Sequence, residues 1–377
     1  KNIMKKKIIY VTGTRAEYVI MRSLLADMVG SGFFDVSILV TGMHLSKKFG
    51  HTIDEIKKDG FKIAGVVDMK IENSTDAGMA KSLGLGVIGF AEKLAKLKPD
   101  LALLIGDRGE TLAAAISASH LNIPIAHISG GDFTTGATID ERMRHAITHF
   151  ADIHFPESRK SAKRIIAMTG SGKNVFLTGN PGLDNYYIPS GKRRAYIGRV
   201  YKLDLKKPFL LVIQHPVTRQ PQESKRQMEE TMSALKELKI QTIIIYPCSD
   251  AGSGGIIEVI NKNKNLKFIR VLKNIKRDDF IDLMALAGAM VGNSSSALTE
   301  ALSFRLPAVN VGKRQEGREA GNNIINVNHD KIEKIKAIKK ALSPKFKKRI
   351  TKKNPYAFGG SKEKIIEILR RYEPADI

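Results

Sequence analysis

The chain has 377 residues, more than one compact core usually holds, so two domains are expected. Its balance of 42% hydrophobic and 27% charged residues is that of a soluble globular protein, and no apolar run is long enough to span a membrane. The formal net charge of +24 attracts anions, yet tryptophan is absent and aromatics are few, which excludes a broad stacking platform for single-stranded nucleic acid. Much of that charge is scattered lysine that thickens after Lys331, so a lysine-coated surface accounts for it without a special partner. Cys248 is the single cysteine, so neither an intrachain disulfide nor a thiolate zinc site can form, which fits a reducing cytoplasm. The apolar run in "KNIMKKKIIYVTGTR" is too short for a signal-peptide core, and Lys1–Ile3 read as lying upstream of a start at Met4.

Along the chain, short apolar runs alternate with amphipathic stretches. "KIIYVTG" feeds "AEYVIMRSLLADMVGSG", "FDVSILVTG" feeds "KKFGHTIDEIKKDG", and "PDLALLIGD" feeds "RGETLAAAISASHLN". "IPIAHISGG" leads to "TIDERMRHAITHFA", "DIHFPES" to "RKSAKRIIAMTG", and "NVFLTGNPG" closes the series. A second series holds "PFLLVIQHP", "QTIIIYPCSD", "KFIRVLKNI", "AMVGNSS" and "LPAVNVG", each of the first four leading into a helical pattern. Unbroken apolar strands that feed helices predict parallel sheets buried on both faces. The basic stretch "YYIPSGKRRAYIGRVYKLDLKKP" reads as a boundary, giving an N-terminal domain 1–186 and a C-terminal domain 187–377 that ends in a basic helical tail. The architecture expected is two doubly wound, Rossmann-like α/β domains, with ligands beyond the carboxyl ends of the strands in the cleft between them.

The chemically distinctive residues follow these strands. Thr12–Arg15 form a small-residue turn opening a helix, with Arg15 as a fork for an anion, although such turns are also ordinary connections. In "VGNSSSALTE", Asn293–Ser296 offer a hydroxyl-rich helix start and Glu300 a carboxylate further along it. That suits pyrophosphate and ribose hydroxyls, unless Ser294 merely caps the helix. "DAGSGG" is a similar turn, and His215 in "IQHPVT" ends a strand beside this nucleotide-like region. His145 and His149 have i, i+4 spacing without the glutamate of HExxH, so a salt-bridged or capping histidine near Asp140 and Glu141 is preferred to a metal ligand. Asp107, Asp132, Asp140 and Glu141 come from the ends of adjacent strands and the helix that follows. They suit proton removal and return, or the capping of helices, and the residues alone leave both readings open.

"TGTRAEY", "VTGMHL", "GDRGET", "HISGGD", "IDERMRHAITHFADIHF", "GNPGLD", "QHPVT", "YPCSDAGS", "GNSSSALTEA" and "VNVGKRQEGREAG" occur in this order. Together they resemble the hydrolysing UDP-N-acetylglucosamine 2-epimerases of sialic-acid and legionaminic-acid-type sugar synthesis, over roughly residues 7–330. The resemblance implies a GT-B fold, a UDP-sugar substrate, no metal and no cofactor. It implies elimination of UDP to a 2-acetamidoglycal, then hydration to the free 2-epimer, N-acetylmannosamine in the simplest case. Asp107 and Asp140 match acids of the family's catalytic set, and His215 matches a histidine near the diphosphate. Arg15, Arg108, Ser294, Ser295, Glu300 and Arg314 match groups that contact UDP.

Three departures bear on this. Sialic-acid members carry a catalytic glutamate in "HIEGGE" where this chain has Ser129, a poor base, so one proton-transfer role must move or vanish, with Asp132 and Glu141 the candidates to take it, while Ser129 contacts substrate. Val19 stands where some members have a uridine-site serine, and Cys248 where some have asparagine, which makes a diacetamido-trideoxy sugar nucleotide a credible substrate. The rival readings are a non-hydrolysing epimerase, a GT-B glycosyltransferase and a non-catalytic nucleotide-sensing or nucleic-acid-binding protein. The expectation is a cytoplasmic homodimer or homotetramer, with no nucleic-acid or membrane partner.

Overall fold

The computed structural model describes residues 5–47, 50–70, 75–135, 139–184, 186–248, 250–351 and 353–373. It divides into two units. One comprises Lys1–Phe133, Ile139–Asp184 and Tyr356–Ile377, the other Thr134–Thr138 and Asn185–Pro355.

The first unit is built on β1 (Lys6–Thr12), β2 (Phe34–Thr41), β3 (Ile63–Val67), β4 (Leu101–Ile105), β5 (Ile125–Ile128) and β6 (Ile153–Phe155). Their connecting helices are α1 (Arg15–Gly30), α2 (Ile53–Lys58), α3 (Asp76–Leu97), α4 (Gly109–His120) and α5 (Ile139–Phe150), and α6 (Arg159–Thr169) follows β6. All neighbours pair in parallel in the order β3-β2-β1-β4-β5-β6. Successive side chains of a strand face opposite ways. Ile8 and Tyr10 of β1 therefore enter one core with Met21, Leu24 and Leu25 of α1, while Ile9 and Val11 enter the other with Ala113 and Ala114 of α4. That double burial is why "KIIYV" carries no polar alternation.

The second unit has α7 (Gly191–Val200), β7 (Phe209–Ile213), α8 (Ser224–Leu238), β8 (Gln241–Ile245), α9 (Ser253–Asn263), β9 (Ile269–Leu272), α10 (Arg277–Leu286) and β10 (Ala289–Gly292). It continues with α11 (Ser296–Thr299), β11 (Ala308–Val311), β12 (Ile324–Val327), α12 (Lys331–Leu342) and α13 (Pro344–Lys348). Its parallel order, β12-β11-β10-β7-β8-β9, repeats the doubly wound pattern of the first unit. In each sheet the strand order reverses between two central strands, β1 and β4 in the first and β7 and β10 in the second. Beyond the carboxyl ends of such strands is where doubly wound sheets place their ligands.

Two boundaries differ from the sequence reading. The stretch taken as a linker contains α7, whose Ile197 is fully buried in the second unit's core, so the division falls at Asp184 instead of inside that stretch. Only part of the basic tail stays with 187–377: α12 and α13 belong to the second unit, whereas the chain from Tyr356 on belongs to the first. A final helix, α14 (Ser361–Arg371), packs on the first unit, with Ile365, Leu369 and Tyr372 in the same core as β1 and α1. Lys362 fixes it there, its Nζ donating to Asp27 Oδ2 at 2.7 Å and Ser23 Oγ at 2.9 Å. The positive charge that marked the tail as surface lies on one face, and its apolar face is core. Among the described residues no helix is long and apolar enough to cross a membrane.

Candidate active site

In the first unit, the turn after β1 and the start of α4 interlock. Thr14 caps α1 and accepts from the Glu17 amide at 3.3 Å. Glu110, buried in the first turn of α4, threads between two glycines. A Cβ on Gly13 would lie 2.7 Å from its Cγ, and one on Gly42, at φ +59°, 2.7 Å from its Oε1. Only a bare backbone admits that carboxylate. Arg108 is the N-cap of α4, and its Nε lies 3.4 Å from Glu110 Oε2. Arg15 opens α1 with its Nε donating to Glu55 Oε2 at 2.8 Å.

Glu17 belongs to this cluster, although nothing in the sequence singled it out. Burial pushes its carboxyl up from 4.5 to about 8, opposed by Arg108 and reinforced by Glu110 and Asp107. Between those two values the folded chain holds a proton that the unfolded chain has lost. Glu17 therefore costs stability progressively as pH rises through that window, by up to about 1.4 kcal/mol per pH unit. Glu17→Gln keeps a neutral side chain, so its urea midpoint is expected to rise relative to the parent between about pH 5 and pH 8. Parallel pH profiles for the two proteins would show that Glu17 ionises normally.

The ends of β4, β5 and β6 hold the acids. Asp107 follows β4 and is joined to Arg144 Nη2 of α5 by a short ion pair. Arg144 Nη1 donates to Glu141 Oε2 at 2.5 Å and to the Asp132 carbonyl at 3.2 Å. Its side chain is only 2% exposed. Burial works against its charge, yet Asp107, then Asp132 and Glu141, hold the guanidinium above its ordinary value. Arg144 is thus the hub that draws together three of the four acids named from sequence. Asp140 sits half-buried beside Glu141 in the first turn of α5. Glu141 Oε1 also lies 2.7 Å from His145 Nε2, which gives His145 a carboxylate partner in the first turn of its helix. His149 is exposed.

Asp132 Oδ1 accepts from the Phe133 amide in its own loop at 2.9 Å. Ser129, at the end of β5, has φ +65° and makes a short hydrogen bond to Glu157 Oε1, donating its hydroxyl proton. Glu157 follows β6, is buried, and did not figure among the sequence candidates. Glu17, Arg144 and Glu157 all lay inside or beside quoted motifs. Glu17 lies in a first turn, Glu157 after a strand and Arg144 inside a helix, but each meets a partner from a different element.

In the second unit, His215 and Asn293 meet at the reversal of strand order. The Asn293 side chain accepts from the His215 amide at 2.6 Å and donates to its carbonyl at 2.9 Å. Gly292 makes this possible, because a Cβ there would come 1.9 Å from the Ile213 carbonyl. The Cys248 amide donates to His215 Nδ1 at 3.2 Å, so the neutral ring carries its proton on Nε2. Cys248 Sγ donates to Asp250 Oδ2 at 2.8 Å in the turn before α9. The Asn293 carbonyl accepts from Arg314 Nη1 at 3.3 Å and Gln315 Nε2 at 2.9 Å, which brings the loop after β11 to the same place.

Ser294 and Ser295 begin a helix shorter than the sequence suggested. α11 runs only from Ser296 to Thr299 and gives way to a 3-10 turn over Ala301–Phe304. Ser295, not Ser294, is the N-cap, and Ser294 Oγ pairs with Ser296 Oγ at 2.8 Å. Glu300 is buried in an ion pair with Arg277, with Oε1 3.0 Å from Nη2 and Oε2 3.1 Å from Nη1. Arg277 also donates to the Tyr186 hydroxyl at 3.2 Å. Among the described residues no group of three or more His, Cys, Asp or Glu is set to hold a metal ion.

Two Rossmann-like units, one with an acid cluster around a buried arginine and one with a histidine and small-residue turns beyond its central strands, have the parts of a nucleotide-binding α/β enzyme. The family model of UDP-N-acetylglucosamine 2-epimerase matches residues 28–370, and the chain belongs to that family of enzymes. It is 40% identical over 369 residues to the UDP-N,N'-diacetylbacillosamine 2-epimerase (hydrolyzing) of Legionella pneumophila, covering 97% of this chain and 96% of that protein. It is 31% identical over 346 residues to the GDP/UDP-N,N'-diacetylbacillosamine 2-epimerase (hydrolyzing) of Campylobacter jejuni, covering 91% and 89%. The UDP-GlcNAc 2-epimerase of Neisseria meningitidis, solved with UDP-GlcNAc bound, superposes with a TM-score of 0.81 at 18% identity over 97% of this chain and 100% of that one. The Methanocaldococcus jannaschii UDP-GlcNAc 2-epimerase gives 0.80 at 22% identity over 96% and 99%. These likenesses establish the GT-B-like fold.

Proposed function

We propose that this protein is a hydrolysing 2-epimerase that converts a UDP-2-acetamido sugar and water to UDP and the free 2-epimer. The carrying observation is the 40% identity, across nearly the whole of both chains, to an enzyme named for that reaction on UDP-N,N'-diacetylbacillosamine. That similarity also makes UDP-N,N'-diacetylbacillosamine the proposed substrate ahead of UDP-N-acetylglucosamine.

The second unit supports UDP binding. His215 presents Nε2–H as a donor, and Arg314 and the turn at Ser294 and Ser295 lie beside it, a donor set suited to diphosphate oxygens. The first unit supports proton transfer. The C2 proton of the sugar is not acidified by a carbonyl, so its removal must be coupled to departure of the diphosphate. In the elimination a base takes the C2 proton, its electron pair forms the C1=C2 double bond, and the C1–O bond breaks with its pair to UDP. In the hydration the oxygen of water bonds to C1 and an acid gives C2 a proton on the other face. Asp107 and Asp140 are assigned to the transfers at C2. Arg15 and Arg108 are assigned to substrate contacts on the first unit. The protein is assigned to the cytoplasm as a homo-oligomer, with no resident metal or cofactor.

The test is an NMR time course with both UDP-sugars in deuterated water. The expected products are UDP and a free sugar inverted at C2 that carries deuterium there. Return of an intact UDP-sugar, or a free sugar that kept its original hydrogen at C2, overturns the reading. Arg314→Ala is expected to weaken UDP binding ~10–100-fold by calorimetry, the scale of one charge-assisted phosphate contact. Unchanged affinity in the folded variant removes Arg314 from the nucleotide site.

A further inference from the structure

We infer that Ser129 and Glu157 form a relay that holds and deprotonates the water that adds at C1. This rests on the reaction proposed above. Ser129 is pinned at the sheet's carboxyl edge. Its amide donates to the Phe155 carbonyl of β6 at 3.2 Å, and the Gly106 amide beside Asp107 donates to the Ile128 carbonyl at 3.1 Å. The ends of β4, β5 and β6 therefore carry Asp107, Ser129 and Glu157 side by side, with neighbouring strands ~4.8 Å apart. Asp132 and Glu141 have other attachments, one to its own loop and the other to Arg144 and His145.

The chemistry follows from the direction of the Ser129 hydrogen bond. The hydroxyl spends its single proton on Glu157, so its oxygen lone pairs are left to accept from water. Glu157 stands immediately before Ser158, the N-cap of the eleven-residue helix α6, where the helix end favours negative charge. A serine alone is too weak a base to take a proton from water. Hydrogen-bonded to a buried carboxylate it can pass one on, because the adjacent base takes the hydroxyl proton as the oxygen gains another. As the water oxygen bonds to C1, one water proton goes to Ser129 Oγ and the serine's own proton goes to Glu157. C2 takes its proton from the separate acid on the other side of the glycal. Serine ends unchanged, Glu157 ends protonated, and both groups return to their starting states through solvent. Ser129 touches the water, and Glu157 acts through Ser129 as a positioning and proton-accepting residue.

The experiment uses Glu157→Gln and Ser129→Ala in the full chain. Glutamine still accepts the Ser129 hydrogen bond but takes no proton. Each variant is incubated with UDP-N,N'-diacetylbacillosamine, and UDP, 2-acetamidoglycal and free sugar are followed by NMR across a pH series. Both variants are expected to release UDP in a first turnover while free sugar forms ~10²-fold more slowly and glycal accumulates. The parent's acidic limb for free-sugar formation is expected to vanish in Glu157→Gln. Free sugar at the parental rate in both variants overturns the inference, as does equal slowing of UDP release and sugar formation without glycal. If one variant fails to fold, the other gives the same readout. A parent enzyme that yields no free sugar from either UDP-sugar sinks the functional reading and this inference together. A normal parent with unaffected variants sinks this inference alone.

Discussion

Asp107→Asn is expected to lower turnover by ~10²–10⁴-fold while UDP affinity stays within about twofold of the parent. The carboxylate stands just after β4, in the loop that leads to Arg108 and α4, and its ion pair with Arg144 keeps a negative charge at that strand end. Asparagine preserves the shape and can accept one hydrogen bond from Arg144, but it cannot carry a proton. Arg144 would keep Glu141, so the guanidinium is not stranded. Most groups assigned to UDP lie in the second unit, and Arg15 and Arg108 keep their charges in this variant, which is why affinity should not follow activity. Steady-state rates and UDP calorimetry on the same preparation make the check. A variant with near-parental rates, whatever its melting temperature, would place Asp107 in the scaffold alone.

Glu300→Ala is expected to cost ~3–5 kcal/mol of stability, because it removes the carboxylate from the buried Arg277 guanidinium. Burial works against the Arg277 charge, and Glu300, ahead of Tyr186, is what holds that group above its ordinary value. Family resemblance assigns Glu300 to UDP, whereas its geometry ties it to Arg277, and one variant cannot separate the two. The double variant Glu300→Leu with Arg277→Met can. Replacing both charges with apolar groups is often close to neutral. Recovery of most of the stability with UDP affinity still low would assign Glu300 to the nucleotide. Recovery of both would make the pair purely structural, and recovery of neither would show that the site depends on the ion pair itself.

The central strands were legible because both faces of each sheet are covered, which writes β1, β4, β7 and β8 as unbroken apolar runs. The outer strands β3 and β12 were not. Their burial is partial, so "IAGVV" and "IINV" show neither a clean run nor alternation. The place of α14 was not legible because its lysines and arginines are conspicuous while its buried residues recur only once per turn. In the site, Asp107, Asp140, Glu141 and His215 were legible as polar residues at strand ends and helix starts. Glu17, Arg144, Glu157 and Arg277 were not, because a charge becomes informative only when its surroundings are known. Arg144 in "DERMRH" looks like any helical surface arginine until Asp107, from the loop after β4, meets it.

The return of α14 to the first unit has a consequence for synthesis. The helix completes the core around β1 and α1, yet every residue of the second unit is translated before it. At ordinary ribosomal speeds that delay is roughly ten to thirty seconds. During it, the surface awaiting Ile365, Leu369 and Tyr372 is bare apolar side chain on a tethered nascent chain. The half of the protein made first is thus the half finished last, and its exposure to chaperones and proteases in the cell is set by the length of the other half.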